Sequence, residues 1–238
     1  MARFHKCLEV SPSSSIEKNA HRRERYLKHL LYELLLSRIY EKRIEVYGEV
    51  PGGCFWIDAQ RQNARFEVIF DQLTRIALEE YTVADIGCGY GAMVDYILEK
   101  QEISPHSYTG YDISKKLVGI CKKKFQRLGA NFIVGDSPEV LTDFAVMSGT
   151  YNLAVTRNVH QWEAYVLRCL SKIWKQTQKA MVFNLQSSAL PEAYISKDKI
   201  YYAAVDSLLH KMEHMIASPI LVTERSLPRD VTIVIERT

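Results

Sequence analysis

The residues best suited to chemistry lie in Val83–Met93, which reads VADIGCGYGAM. Gly87, Gly89 and Gly91 alternate after an apolar run, and the residues beyond them can open a helix. A β-carbon at those positions would block a tight strand-to-helix turn or push a ligand off the backbone. Asp112 closes the next apolar run, SYTGYDIS, 21 positions after Gly91. A carboxylate there can accept both hydroxyl protons of a ribose. Asp85, two residues before the first glycine, can orient the turn and receive an ammonium; a pyrophosphate would be repelled by it. Asp136 and Ser137, in VGDSPEVL, follow a third run at a place where an adenine amino group could be read. The set describes a site for an adenosine-bearing ligand.

Alternating strand and helix signals must position these residues. From Tyr81 onward, β-prone runs near 81–86, 107–112, 131–135, 151–156 and 180–185 alternate with helical patterns near 91–100, 115–128 and 160–176. That alternation predicts an α/β fold: a Rossmann-like, seven-stranded, mostly parallel sheet with helices on both faces. A further helix carries Tyr201, Ala204, Val205, Leu208, Leu209 and Met212 on one side. The last two runs, PILVTER and DVTIVIER, are joined by SLPR, too short for a parallel crossover, so the last strand is antiparallel. Before Tyr81 the chain is helical. Ser14 and Glu17 have capping-box spacing. Leu27, Leu30, Leu31, Leu34 and Leu35 then mark one apolar face of a helix running to about Val46. A second amphipathic helix places Phe66, Ile69, Phe70 and Leu73 together. The chain thus divides into an N-terminal helical extension or lid, residues 1–79, and a ligand-binding domain, residues 80–238.

With 238 residues, 47% of them hydrophobic, the chain can bury one large core. Its net charge of +3 gives no support to a nucleic-acid surface over the whole protein. The helix around Arg22–Arg43 leans basic, which reads as a solvated face in preference to an RNA or lipid patch. Five scattered cysteines without a Cys-x-x-Cys pair fit a reducing compartment and argue against a zinc site. No apolar run reaches the roughly 18 residues of a membrane span. The expected setting is cytoplasmic, with no membrane partner and no metal.

The glycine turn leaves its ligand open. Read as Gly87, Gly89 and Ala92, it also satisfies the dinucleotide fingerprint, so NAD and S-adenosylmethionine both fit. Asp85, the GDSPE loop and the antiparallel terminal pair favour the second. Together ADIGCGYG, YTGYDIS, GDSPE and YNLAVTRNVHQW resemble motifs of the class I S-adenosylmethionine-dependent methyltransferases, over about residues 80–238. VYGEVPGGCFWIDAQRQNARFEVIFDQL is similar to the lead-in of a bacterial branch with poorly defined substrates.

The resemblance implies S-adenosyl-L-methionine as cofactor and S-adenosyl-L-homocysteine as product. Gly87, Cys88, Gly89, Tyr90 and Gly91 would line the amino-acid part, with Asp112 and Ile113 on the ribose. Asp136 and Ser137 would flank the adenine. Thr156 and Arg157, ending the fourth strand, would meet the methionyl portion, and Arg65 could clamp its carboxylate. His160 is the candidate general base, set against a plain helix-start role. Tyr47 and Trp56 are candidate lid residues. TRNVHQW lacks the Asn/Asp-Pro-Pro-Tyr/Phe of amine-methylating enzymes and the cysteine of pyrimidine C5 methylation. The expected acceptor is a small molecule with a hydroxyl or carboxylate oxygen. An RNA substrate docked on the basic helix is the alternative, and a nicotinamide-dependent oxidoreductase is a weaker one.

Overall fold

The computed structural model of the chain describes residues 13–77, 79–100, 103, 105–222 and 227–237. Strands β1 (Thr82–Ile86), β2 (Ser107–Asp112), β3 (Asn131–Val134), β4 (Thr142–Ser148) and β5 (Thr177–Ser187) lie parallel in the order β3-β2-β1-β4-β5. A short antiparallel pair follows, β6 (Tyr194–Ile195) and β7 (Tyr201–Ala203). Strand β8 (Pro219–Val222) pairs antiparallel with β9 (Asp230–Glu236), and β9 runs antiparallel along β5. The expected reversal of the last strand is therefore present.

Helices cover both faces. On one side α2 (Ala59–Ile76), α3 (Ala92–Lys100) and α4 (Lys115–Lys124) bury Phe66, Ile69, Phe70, Met93, Val118 and Cys121 against the sheet. On the other, α1 (Ser13–Tyr47), α5 (Val159–Trp174) and α6 (Val205–Met215) contribute Leu36, Trp162, Val166, Leu170, Leu208 and Met212. Three of the starts have a local cause. Asp58 caps α2 by accepting from the Arg61 N–H at 2.7 Å, and Ser114 and Asn158 cap α4 and α5 through their side-chain oxygens. The chain reverses its direction of winding between β1 and β4, and a doubly wound sheet opens a crevice for ligands at such a point.

The structure departs from three of these expectations. The fourth strand is Thr142–Ser148, not 151–156; Tyr151 to Val155 form the connection beyond it, with Leu153 in a single bridge to Ile200. Tyr201 belongs to β7 and not to the helix that follows. The leucine face of α1 points outward. Leu27, Leu30, Leu31 and Leu34 are 42–56% exposed, whereas Tyr32, Leu36 and Ile44 are buried. Two apolar stripes are interleaved on this helix, and the one bearing Tyr32 and Leu36 docks on Trp162 and Tyr165, with Tyr32 Oη donating to Gln161 Oε1 at 3.1 Å. The capping box at Ser14 and Glu17 lies among side chains outside the described set. No described helix is long and apolar enough to cross a membrane.

Candidate active site

The glycine turn follows β1 directly. Gly87, Gly89 and Gly91 all take left-handed backbone angles, with φ of 77°, 58° and 84°. At Gly91 an added β-carbon would lie 2.3 Å from Phe125 Cε2. Gly91→Ala is therefore expected to cost about 2–4 kcal/mol of stability, backbone strain and overpacking together. Urea unfolding against wild type measures it; an unchanged midpoint would contradict the packing just described.

Backbone and carboxylate contacts fix the turn. The Gly87 and Cys88 N–H groups donate to the Tyr111 carbonyl at 2.7 and 3.0 Å. Asp112 is buried, and its two carboxylate oxygens accept from Gly89 N–H at 3.0 Å and Ser114 N–H at 2.8 Å. Burial pushes its pKa up to about 6 despite those bonds. Each oxygen keeps acceptor capacity for one more donor. Asp85 is also buried and accepts from Tyr108 Oη at 2.6 Å. Burial raises it to about 7.

Asp136 stands where α1 and α5 converge on the sheet. Lys172 donates to its Oδ1 at 2.6 Å, and His29 Nε2 lies 3.5 Å from Oδ2. Burial opposes ionisation, but the contacts from His29 and Lys172 hold this carboxyl well below the usual range. His29 in turn is raised to about 9 by bonding to Asp136 and Glu33. Asp136 Oδ2 is buried and has only this long His29 contact, short of a well-formed hydrogen bond.

One cavity of about 570 Å³ joins these groups, lined by Asp85, Gly87, Cys88, Gly89, Tyr90, Asp112, Ile113 and Asp136. Gly91 and Ser137 stand just outside the lining; Ser137 Oγ donates to Asp136 Oδ1 at 3.4 Å. Arg65 lines the cavity as well, stacked against Trp56 at 4.5 Å and paired with Asp230, with its Nε buried and unpartnered. That pairing occupies one side of the guanidinium, so the two-pronged clamp expected of Arg65 reduces to the free Nε side.

The correction to the fourth strand moves the rest of the site. Ser148, Gly149, Thr150, Tyr151, Asn152 and Leu153 line the cavity. They are held by Gly149 N–H to Asn184 Oδ1 at 2.8 Å, Thr150 Oγ1 to the Ile86 carbonyl at 2.8 Å, and Trp162 Nε1 to the Tyr151 carbonyl at 3.1 Å. Thr156 and Arg157 do not reach it. Arg157 donates to the Ser196 and Lys197 carbonyls at 2.7 and 3.0 Å, and Thr156 Oγ1 accepts from Asn158 N–H. His160 is exposed and away from the cavity wall. Its replacement by Ala is expected to leave turnover within about twofold, as for other surface changes; a large loss would return it to the site. Trp56 lines the cavity as expected of a lid residue, but Tyr47 does not and lies under Arg43. Sequence reading also missed Leu36, Tyr40, Arg61, Gln62, Tyr202 and Arg229 in the wall. The Ser-Gly-Thr closing the run FAVMSGT was an available strand-end signal.

The chain is similar to known methyltransferases. The methyltransferase-domain family profile matches residues 83–179. Rv1506c of Mycobacterium tuberculosis, whose name places it among the methyltransferases, is 30% identical over 128 residues, covering 53% of this chain and 75% of that protein. Among solved structures, a Leishmania major SAM-dependent methyltransferase superposes with a TM-score of 0.60 at 12% identity, over 82% of this chain and 81% of that one. The magnesium protoporphyrin IX methyltransferase of Synechocystis with bound SAH gives 0.53 at 14% identity, over 75% and 84%. The chain belongs to the class I S-adenosylmethionine-dependent methyltransferases.

Proposed function

We propose that this enzyme transfers a methyl group from S-adenosylmethionine to an oxygen, hydroxyl or carboxylate, of a small-molecule acceptor by in-line displacement. The observation that carries the reading is the single cavity uniting the glycine turn with three carboxylates at or just beyond the ends of β1, β2 and β3. Its polar atoms fit the cofactor. The Asp112 oxygens have room for two ribose hydroxyls, and Asp136 Oδ2, which makes only a long contact to His29, suits an adenine amino group. Asp85 suits the ammonium, and the orphaned Arg65 Nε suits the carboxylate. Gly87, Cys88, Gly89 and Tyr90 supply close backbone approach for the amino-acid portion, with Ile113 against the ribose.

When bound, the cofactor supplies a methyl group already activated on a sulfonium. The chain's part is to align and to exclude water. The loop Ser148–Leu153 lies beside the glycine turn, in position to direct the acceptor. No histidine lines the cavity among the described residues, and no imidazole base is needed for this reaction. An acceptor oxygen already ionised at neutral pH needs none. In this reading residues 1–79 supply the cover and residues 80–238 the binding sheet; the unpaired Cys54, Cys88, Cys121 and Cys169 fit a cytoplasmic setting.

Trp56 packs against Gly149 and over Arg65. Trp56→Ala is expected to weaken acceptor binding about tenfold with the sheet still folded; unchanged binding would remove it from the site. The reaction itself is tested by supplying labelled cofactor and a panel of phenols and carboxylic acids. A base-stable labelled ether or a base-labile ester names the oxygen, and label only on nitrogen or carbon would refute oxygen transfer. The RNA alternative predicts an affinity that falls steeply with salt.

A further inference from the structure

The charges on the cavity wall are segregated. Asp85 and Asp112 sit at the ends of β1 and β2, and Asp136 follows β3. The arginines on the wall lie at the opposite side of the sheet. Arg229 immediately precedes β9, and Arg65 of α2 is paired with Asp230, the first residue of β9. Arg61, one turn before Arg65 on α2, is close enough to that pair to influence both electrostatically. Four strand spacings separate β2 from β9, about 19 Å at 4.8 Å each. The acidic half suits the adenosine and ammonium of the cofactor and Arg65 its carboxylate, so Arg61 and Arg229 are left for the second substrate.

The basic half also carries surplus charge. Asp230 is shared by Arg65 and Gln186, while Arg61 and Arg229 have no ion-pair partner among the described residues. Flat and apolar surfaces accompany them. Trp56 presses on the Gly149 turn, and Tyr202, on β7, stacks on Tyr194 at 4.7 Å. Arg229 adopts a left-handed backbone, φ 67°, which is uncommon for a non-glycine residue and recurs where a side chain must be aimed.

We propose that Arg61 and Arg229 form an anion-binding subsite, and that the methyl acceptor is an aromatic molecule whose carboxylate or phosphate they hold while its ring lies by Trp56 and Tyr202. The inference rests on the methyl-transfer reading of this cavity and adds the acceptor class. It also bears on the reacting oxygen. A carboxylate bound by guanidinium groups is a poor nucleophile, so the anion is a handle and a separate hydroxyl receives the methyl group. Nearby cations also favour the ionised form of that hydroxyl.

The test is titration of the full chain, saturated with S-adenosylhomocysteine, with benzoate, phenyl phosphate and benzyl alcohol. At least one anion is expected to bind ten times more tightly than the alcohol. In the Arg61→Gln/Arg229→Gln double variant that preference should disappear, with the affinity for S-adenosylhomocysteine within about twofold of wild type. Arg61→Lys/Arg229→Lys should restore part of it, which separates charge from any damage to folding. Equal binding of the alcohol, no binding of either anion, or an anion preference that survives the double variant would overturn the subsite and leave the methyltransferase reading intact. Arginine-dependent anion binding without any binding of S-adenosylhomocysteine would do the reverse.

Discussion

Replacing Asp112 by Ala is expected to lower affinity for S-adenosylhomocysteine by at least about a hundredfold. Two charge-assisted bonds to the ribose are lost, each worth about 1.5–3 kcal/mol. The same change releases the Gly89 and Ser114 N–H groups, which Asp112 now holds at 3.0 and 2.8 Å. The glycine turn therefore loses its anchor as well as the ligand its partner. Asp112→Asn separates the two roles: its amide oxygen can keep one backbone bond, but its NH₂ faces the other donor. A loss nearly as large as for Ala is expected, and calorimetric titration of both variants measures it. Affinity within threefold of wild type in Asp112→Ala would remove Asp112 from the ribose site.

The second large effect is a pH dependence centred on Asp85. Burial raises its pKa from 3.8 to about 7, so the folded protein holds a proton that the unfolded chain releases above pH 4. Stability should accordingly fall as pH rises from about 4 to about 7 and level off beyond. Asp112, raised to about 6, adds a slope of the same sign over a narrower range. Asp85→Asn removes the larger contribution. At pH 8 the ligand-free variant should be more stable than wild type by on the order of 2–4 kcal/mol, with the Tyr108 hydrogen bond retained by the amide oxygen. Ligand binding should move the other way. An ionised Asp85 attracts the ammonium, so wild-type affinity should rise with pH through 7 and binding should release a proton. Asp85→Asn should bind at least about tenfold more weakly at pH 8 and lose the rise through pH 7, keeping only the part that Asp112 contributes near pH 6. Urea melts at pH 5 and 8 and titrations in two buffers of different ionisation enthalpy measure both halves. A variant less stable than wild type at pH 8 would contradict the assignment of strain to this carboxylate.

Much of this site is written locally in the sequence. The glycine spacing that permits the turn after β1 is local, although its anchors, Tyr111 and Asp112, come from β2; Asp112 is itself placed by a strand end and a short β–α turn. The N-capping residues Asp58, Ser114 and Asn158 are likewise local. What was not legible depends on competition between distant segments. Both TDFAVMS and YNLAVT are apolar enough for a central strand, but only one can lie between β1 and β5. Thr142–Ser148 takes that place because Asp143 and Thr142 bond to Thr82, the first residue of β1, and because Gly149 turns the chain with φ of 72°. That choice brings Ser148–Leu153 to the cavity and takes Thr156, Arg157 and His160 away from it. On α1, periodicity identified a leucine stripe, but the docked face was decided by partners on α5 and the sheet. Arg229 reaches the wall that Arg61 lines only through the long-range pairing of β5 with β9, for which a single sequence holds no short-range signal.

The central claim is that the cavity holds S-adenosylmethionine through its acidic half, and calorimetric titration of the purified protein with S-adenosylhomocysteine, with NAD in parallel, tests it most directly. One-to-one binding of S-adenosylhomocysteine and none of NAD is expected. Binding of NAD with no response to S-adenosylhomocysteine would contradict it.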